Sequence, residues 1–452
     1  MLFRKIEKYI EDHLKSGSDK ILIIEGARQI GKSYIIRETG KRVYDNFVEV
    51  NFVEDDEGAR LFKNVHTTEE FYLALSMVEG RNLGNAANTL IFIDEIQHYP
   101  QYLTMLKFFR RDNRYRFIAS GSMLGKALRS STSIPIGSII RKEMFQLDFE
   151  EFIIANGVGH EAIDALRKKY SSGESLDEEQ HERMLGLFRR YLLVGGMPDA
   201  VNEYITSHNI VKVREVQESI RMLYGDDASK YEKDSGRHLL VKRIFEMIPS
   251  QMENKKKRIV AKNIQGRDGD RFNRYTEEFE YLISSGITLS VHAISNPRYP
   301  LAESVQKNIL KLYMNDVGIL TAQLYRHNLR PILNDERSIN LGAVYENVVA
   351  QELKAHGHKL FYYDNRQKGE VDFLIDDCQN MSILPIEIKS GRDYTIHSAL
   401  NNLIKTPDYH VCSGLVLSNE RNVKTIGKVR YMPVYYIMFI DANKFNVTDV
   451  FF

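Results

Sequence analysis

Residues 20–33 read KILIIEGARQIGKS. Ile21–Ile24 make a short apolar run, rich in β-branched side chains, that predicts a buried strand, and a helical pattern begins after Ser33. Between them stands G-x-x-x-x-G-K-S, from Gly26 to Ser33. A strand, a glycine-bounded loop and a helix in this order form a phosphate cradle. The glycines let backbone N–H groups turn inward, and the helix directs the positive end of its dipole to the same point. This predicts an ATP site formed by Gly26, Ala27, Arg28, Gln29, Ile30, Gly31, Lys32 and Ser33. Lys32 would reach the β- and γ-phosphates, and the Ser33 hydroxyl would ligate Mg²⁺.

A second apolar strand, NTLIFIDEIQHYP (88–100), ends in Asp94-Glu95. A parallel α/β sheet puts its ligand crevice at such strand ends. Asp94 therefore suits the Mg²⁺ shell, and Glu95 is placed to orient or deprotonate an attacking water. A third strand, YRFIASGSM (115–123), carries Ser120 and Ser122 at its C-terminal end. A hydroxyl there could sense the γ-phosphate or the lytic water, and Ser122 is grouped with Lys32 and Glu95 as catalytic. Serine at a strand-to-loop junction is also ordinary turn chemistry.

The whole chain has 452 residues, enough for roughly three domains. Lys and Arg number 62 against 61 Asp and Glu, so no global field draws the molecule to nucleic acid or membrane. Two cysteines are too few for a disulfide framework or a Cys-based zinc site. The N-terminal pattern is that of a charged amphipathic helix rather than a signal peptide, and no apolar run approaches the roughly 18 residues of a membrane span. These features predict a cytoplasmic protein with no membrane partner. The histidines form no H-E-x-x-H motif and the serines no G-x-S-x-G elbow, which argues against catalytic zinc and a hydrolase triad.

The runs GARQIGKS, IFIDEIQ, FIASGSML and SIPIGSIIRKEMFQLDFEEF, with the later YLLVGGMPDAV and LKLYMNDVGIL, resemble the bacterial and archaeal AAA-type ATPases that join this core to a C-terminal domain of uncharacterised function. The resemblance implies a parallel sheet flanked by helices, a helical lid that moves with hydrolysis, and a homo-oligomer in which a neighbouring copy lends an arginine to the transferring phosphate. One departure concerns that arginine. Gly137-Ser138 stands where relatives read Gly-Arg, and Arg141 and Arg129 are the nearest substitutes.

From Asp148 to about Tyr231 the periodicity is helical, broken at Gly195-Gly196 and Pro198. Two further helical stretches, RHLLVKRIFEMIPSQ and FNRYTEEFEYLISSGI, precede an alternating TLSVHAIS and then NPRYPL, an order that predicts a winged helix with a strand and wing. The basic stretch between those helices, residues 254–274, would neutralise DNA phosphates, or else form a solvated loop.

Near the end stand GEVDFLID (369–376) and PIEIKSG (385–391). Alternation along strands puts Glu370 and Asp372 on one face, and Glu387 and Lys389 on one face of the next strand. Asp372 and Glu387 would hold Mg²⁺ or Mn²⁺, with the Ile388 carbonyl and Glu346 from a preceding helix completing the shell. Lys389 would orient water or stabilise a pentacovalent phosphate. The pattern resembles the restriction-endonuclease-like superfamily, whose core is an αβββαβ unit. As a bare motif D…E-x-K recurs by chance, and the fold can be kept without cleavage.

The expected architecture is therefore α/β and multidomain: a P-loop AAA-type ATPase core (1–147), a helical lid (148–235), a winged helix-like module (236–330) and a restriction-endonuclease-like domain (331–452). The expected function is Mg²⁺-dependent ATP hydrolysis coupled to a nuclease-like, DNA-directed C-terminal domain. The alternative is a regulatory nucleotide switch whose C-terminal domain is an inert protein-interaction module.

Overall fold

A computed structural model describes residues 2–51, 60–79, 83, 88–122, 137–230, 235–254, 257, 259–266, 272–305, 309–326, 328–333, 341–390 and 394–442. The chain divides into two compact units, Met1–Gln146 with Ser284–Gly286, and Leu147–Ile283 with Ile287–Phe452.

The first unit is built on five parallel strands: β1 (Ile21–Glu25), β2 (Asn46–Asn51), β3 (Thr89–Asp94), β4 (Arg116–Gly121) and β5 (Ile139–Glu143). Their order is β2-β3-β4-β1-β5. The inner strands are apolar because both faces are covered, and every residue of β3 is buried. β5, at an edge, carries Arg141, Lys142 and Glu143, charges that discourage pairing with another strand. Tyr72, Tyr102, Phe109 and Phe117 gather around Phe71, with Phe109 stacked on Phe117 at 4.6 Å between ring centres. This topology places β4 between β1 and β3, so the ends of all three open into one crevice.

The second unit begins with helices Phe149–Ala155, His160–Ser172, Glu178–Val194, Pro198–Ser207 and Ile210–Lys230, over the span where the sequence pattern is helical. Asp148 and Glu151 form a reciprocal cap on the first of them. The break at Gly195-Gly196 is held from a distance: Asp316, fully buried, accepts from the Gly196 N–H at 2.6 Å and the Ile319 N–H at 3.0 Å. A β-carbon at Gly195 would overlap the Asp316 carboxylate, and one at Gly196 the Leu147 carbonyl oxygen.

The remaining strands are β6 (Thr288–Ile294), β7 (Leu310–Met314), β8 (Phe361–Asn365), β9 (Gly369–Asp377), β10 (Ser382–Lys389), β11 (Gly414–Ser418), β12 (Lys424–Ile426) and β13 (Val429–Pro433). They form one mixed sheet in the order β12-β13-β11-β10-β9-β8-β6-β7. This changes the reading of TLSVHAIS. The strand is present, but it belongs to the C-terminal sheet rather than to a separate module: β6 pairs antiparallel with β7 and parallel with β8, His292 opposite Phe361. Every residue of β7 is buried, which an exposed wing does not need. The boundary expected at 330/331 therefore falls between strands of one sheet. The stretch FNRYTEEFEYLISSGI also divides, into a 3₁₀ turn Phe272–Tyr275 and a helix Thr276–Ser284.

Candidate active site

Gly26 leaves β1 at φ 155°, and a β-carbon there would overlap the Met144 carbonyl oxygen, so only glycine permits this close approach. Gly31, at φ 88°, turns the chain into helix Lys32–Val43. The left-handed conformation is strained for any other residue, which explains the second glycine of the motif. Lys32 is 4% exposed, and its ammonium donates to the carbonyls of Gly26 at 3.2 Å and Ala27 at 2.7 Å. Desolvation pushes its pKa below the usual lysine range, against the pull of the Glu95 and Asp94 carboxylates. A triphosphate would supply the counter-charge that the loop carbonyls only approximate.

Ser33 Oγ donates to Asp94 Oδ1 at 2.9 Å. Ser120 Oγ donates to the same oxygen. Burial raises the Asp94 pKa, and the two hydroxyl hydrogen bonds oppose that rise. A hard divalent cation would relieve this buried charge, and Ser33 and Asp94 are the oxygen donors that fit it. Glu95 sits at φ 50°, an uncommon conformation for glutamate. Its N–H donates to Asp94 Oδ1 at 3.1 Å and to Ser120 Oγ at 3.3 Å. Gln97, absent from the sequence reading, donates to Glu95 Oε2 and, at 3.1 Å, to Ser122 Oγ. It also accepts from the Ser122 N–H at 3.1 Å. The only signal for it was its place three residues past Asp94.

Thus the sequence-predicted Lys32, Ser33, Asp94, Glu95, Ser120 and Ser122 lie around one strand-end crevice. If Glu95 activates water, Glu95→Gln should keep nucleotide affinity and lower turnover by about 10²–10⁴-fold. Equal kcat in single-turnover assays would remove it from that role. Arg141 pairs with Glu25 at 2.5 Å within the same unit, so using it as a trans-acting finger would first require breaking that pair. Arg129 lies outside the described residues.

The C-terminal cluster departs more from expectation. Helix Gly342–Ala355 brings Glu346 beside β7 and β9, but Lys257 holds Glu346 Oε1, and Tyr313 donates to its Oε2 at 2.9 Å. Lys311, 1% exposed on β7, lies 2.6 Å from Glu370 and 4.0 Å from Glu346. Lys389 donates to Glu387 at 2.8 Å. The Ile388 N–H donates to Asp372 Oδ2 at 2.8 Å.

Burial raises the Asp372 pKa well above the usual carboxylate range, with Glu387 and Glu346 adding to the rise. Burial raises Glu387 too. Glu346 is lowered, because Lys311 and Lys257 outweigh its desolvation. Among the described residues, no group of three or more His, Cys, Asp or Glu is disposed to hold a metal ion. Lysine ammonium groups pair with Glu346, Glu370 and Glu387, whereas Asp372 is held by the Ile388 N–H. Lys257, Lys311 and Tyr313 were missed from sequence. A lysine inside the apolar run LKLYM was the one available sign. Lys257 also turns one charge of the basic 254–274 stretch inward, and 255, 256, 258 and 267–271 of that stretch lie outside the described residues.

No described helix is long and apolar enough to cross a membrane. No curated protein matches the chain in sequence. Comparison with solved structures gives partial likenesses. A Walker-type ATPase of Pyrococcus abyssi is 12% identical over 72% of this chain and 96% of its own, with a TM-score of 0.43. AMPPCP-bound DnaA from Aquifex aeolicus is 10% identical over 63% and 89%, with a TM-score of 0.30. The Hsp104–ADP complex of S. cerevisiae is 12% identical over 79% and 43%, with a TM-score of 0.30. Residues 185–330 and 341–437 match two domains of unknown function, DUF8612 and DUF4143. Residues 18–153 match the AAA domain model, over the same strands and loop that build the crevice. The front of this chain is therefore similar to AAA domains.

Proposed function

We propose that the chain hydrolyses ATP with Mg²⁺ and uses the cycle to govern a nucleic-acid-directed C-terminal region. The observation that carries the first part is the convergence of Lys32, Ser33, Asp94 and Glu95 at one crevice. Lys32 would neutralise the β- and γ-phosphates, Ser33 and Asp94 would hold Mg²⁺, and Glu95, oriented by Gln97, would take the proton of the attacking water. Mg²⁺ supplies charge neutralisation across the phosphates when bound. The P-loop N–H groups and the dipole of helix Lys32–Val43 would hold the phosphates in place.

For the C-terminal region, the support is its element order from 342 to 418: helix Gly342–Ala355, β8, β9, β10, helix Ser398–Ile404 and β11, with Asp372, Glu387 and Lys389 close together. This is the order a restriction-endonuclease-like core requires. The region is read as binding nucleic acid without cutting it, because Lys257, Lys311 and Lys389 already pair with Glu346, Glu370 and Glu387. The second reading, a nucleotide switch with an inert protein-docking module, is favoured by the same Lys257–Glu346 pair.

The two are separated by ATPase rates with and without DNA across a salt series. A nucleic-acid-directed protein should show severalfold DNA stimulation that fades as salt rises. No stimulation at any salt would leave the switch. Metal-dependent nicking lost in Asp372→Ala would overturn the non-cutting reading.

A further inference from the structure

Arg4 precedes the first helix, Lys5–Lys15, and no motif includes it, yet it is only 6% exposed. Its guanidinium reaches two carbonyls distant in sequence. Nη1 donates to the Ile30 oxygen at 3.0 Å, and Nη2 to the Phe145 oxygen at 2.5 Å. The first acceptor belongs to the P-loop itself. The second follows Met144, whose own carbonyl crowds Gly26 at the loop's other end and whose N–H donates to Glu25 at 2.7 Å. One planar fork thus ties the far end of the loop to the segment against which its near end is packed.

We infer that Arg4 is a positioning residue for nucleotide binding, one that sets the Ile30–Gly31 peptide of the phosphate cradle. A trans peptide is planar, with its N–H directed opposite to its C=O. Drawing the Ile30 oxygen toward Arg4 therefore turns the Gly31 N–H to the other side of the loop. Gly31, at φ 88°, has no β-carbon to restrict this peptide from within the loop. Lysine cannot reproduce the effect fully, since a single ammonium lacks the two-pronged geometry that spans both carbonyls. The inference rests on the ATP reading above, and it adds the residue that holds the cradle open before ligand arrives.

The test uses the full chain and compares the parent with Arg4→Met and Arg4→Lys. A fluorescent ATP analogue gives the dissociation constant, steady-state assays give KM and kcat, and thermal melting without nucleotide reports the fold. Arg4→Met should raise both Kd and KM about tenfold, leave kcat within about twofold, and lower the ligand-free melting temperature by no more than Arg4→Lys plus a few degrees, too little to account for the lost affinity at assay temperature. Arg4→Lys should recover part of the affinity. Parent-like affinity in Arg4→Met overturns the inference. So does an affinity loss in both variants that simply follows a lowered ligand-free melting temperature, since the residue is then only part of the core. If Arg4→Met fails to fold, Arg4→Lys decides alone: it must fold like the parent and bind more weakly. A parent that binds no nucleotide removes the ATP reading and this inference together, whereas a binding parent with unaffected variants removes only the inference.

Discussion

Lys32→Ala is expected to lower steady-state ATP turnover at least about a hundredfold while the chain still folds. The ammonium is buried, and two loop carbonyls are its recorded hydrogen-bond acceptors. Desolvation already disfavours its charge, so it is poised to bind an anion more strongly than an exposed lysine would. Alanine removes the cation proposed to face the transferring phosphate without disturbing β1, whose core contacts come from Ile21 and Ile23 on one face. Circular dichroism should match the parent, and phosphate release should be close to the uncatalysed level. A mutant as fast as the parent would mean that hydrolysis occurs elsewhere.

The second large effect is on stability. Asp316→Ala should destabilise the second unit by about 2–4 kcal/mol, since it strands buried backbone N–H groups of Gly196 and Ile319. Arg214 Nη1, which donates to the Gly318 and Leu193 carbonyls, belongs to the same knot. Desolvation raises the Asp316 pKa from its ordinary 3.8 to about 6. The folded state therefore binds this proton more tightly than the unfolded state between those values. The contribution of Asp316 is fullest below pH 4 and declines by about 3 kcal/mol as pH rises to 6. Asp316→Asn should flatten that part of the profile relative to the parent. Hydrogen exchange of helix Glu178–Val194 measures both effects. Unchanged protection in Asp316→Ala would show that the cap contributes little.

This knot also explains two motifs that looked unrelated in the sequence. YLLVGGMPDAV and LKLYMNDVGIL stand more than a hundred residues apart, yet Gly195 of the first makes room for the aspartate of the second, and the Gly196 N–H donates to it. Neither segment shows by itself why it needs those residues. A β-carbon at Gly195 is excluded both by its φ of 70° and by the Asp316 carboxylate, and one at Gly196 by the Leu147 backbone.

The nucleotide crevice was readable because its parts are local. β1, the eight-residue loop and helix Lys32–Val43 are contiguous, and apolar runs ending in Asp94-Glu95 and in Ser120 mark neighbouring strand ends wherever a parallel sheet forms. The C-terminal strands were also readable from alternation: those expected near 370–375 and 383–389 are present as β9 (Gly369–Asp377) and β10 (Ser382–Lys389). Arg4 and Gln97 were not, since nothing near either residue in sequence shows which backbone it will meet.

By itself, then, the sequence determined the P-loop, the acids at the ends of apolar strands, and the succession of helices and strands, all set by local periodicity and backbone permissiveness. Only the tertiary structure decided that β6 and β7 extend the C-terminal sheet, that Lys257 and Lys311 neutralise Glu346 and Glu370, and that Arg4 braces the phosphate loop. The physical reason is that strand partners and buried charge pairs are chosen by non-local packing. A lysine's pattern in the chain is the same whether it faces water or a carboxylate ninety residues away.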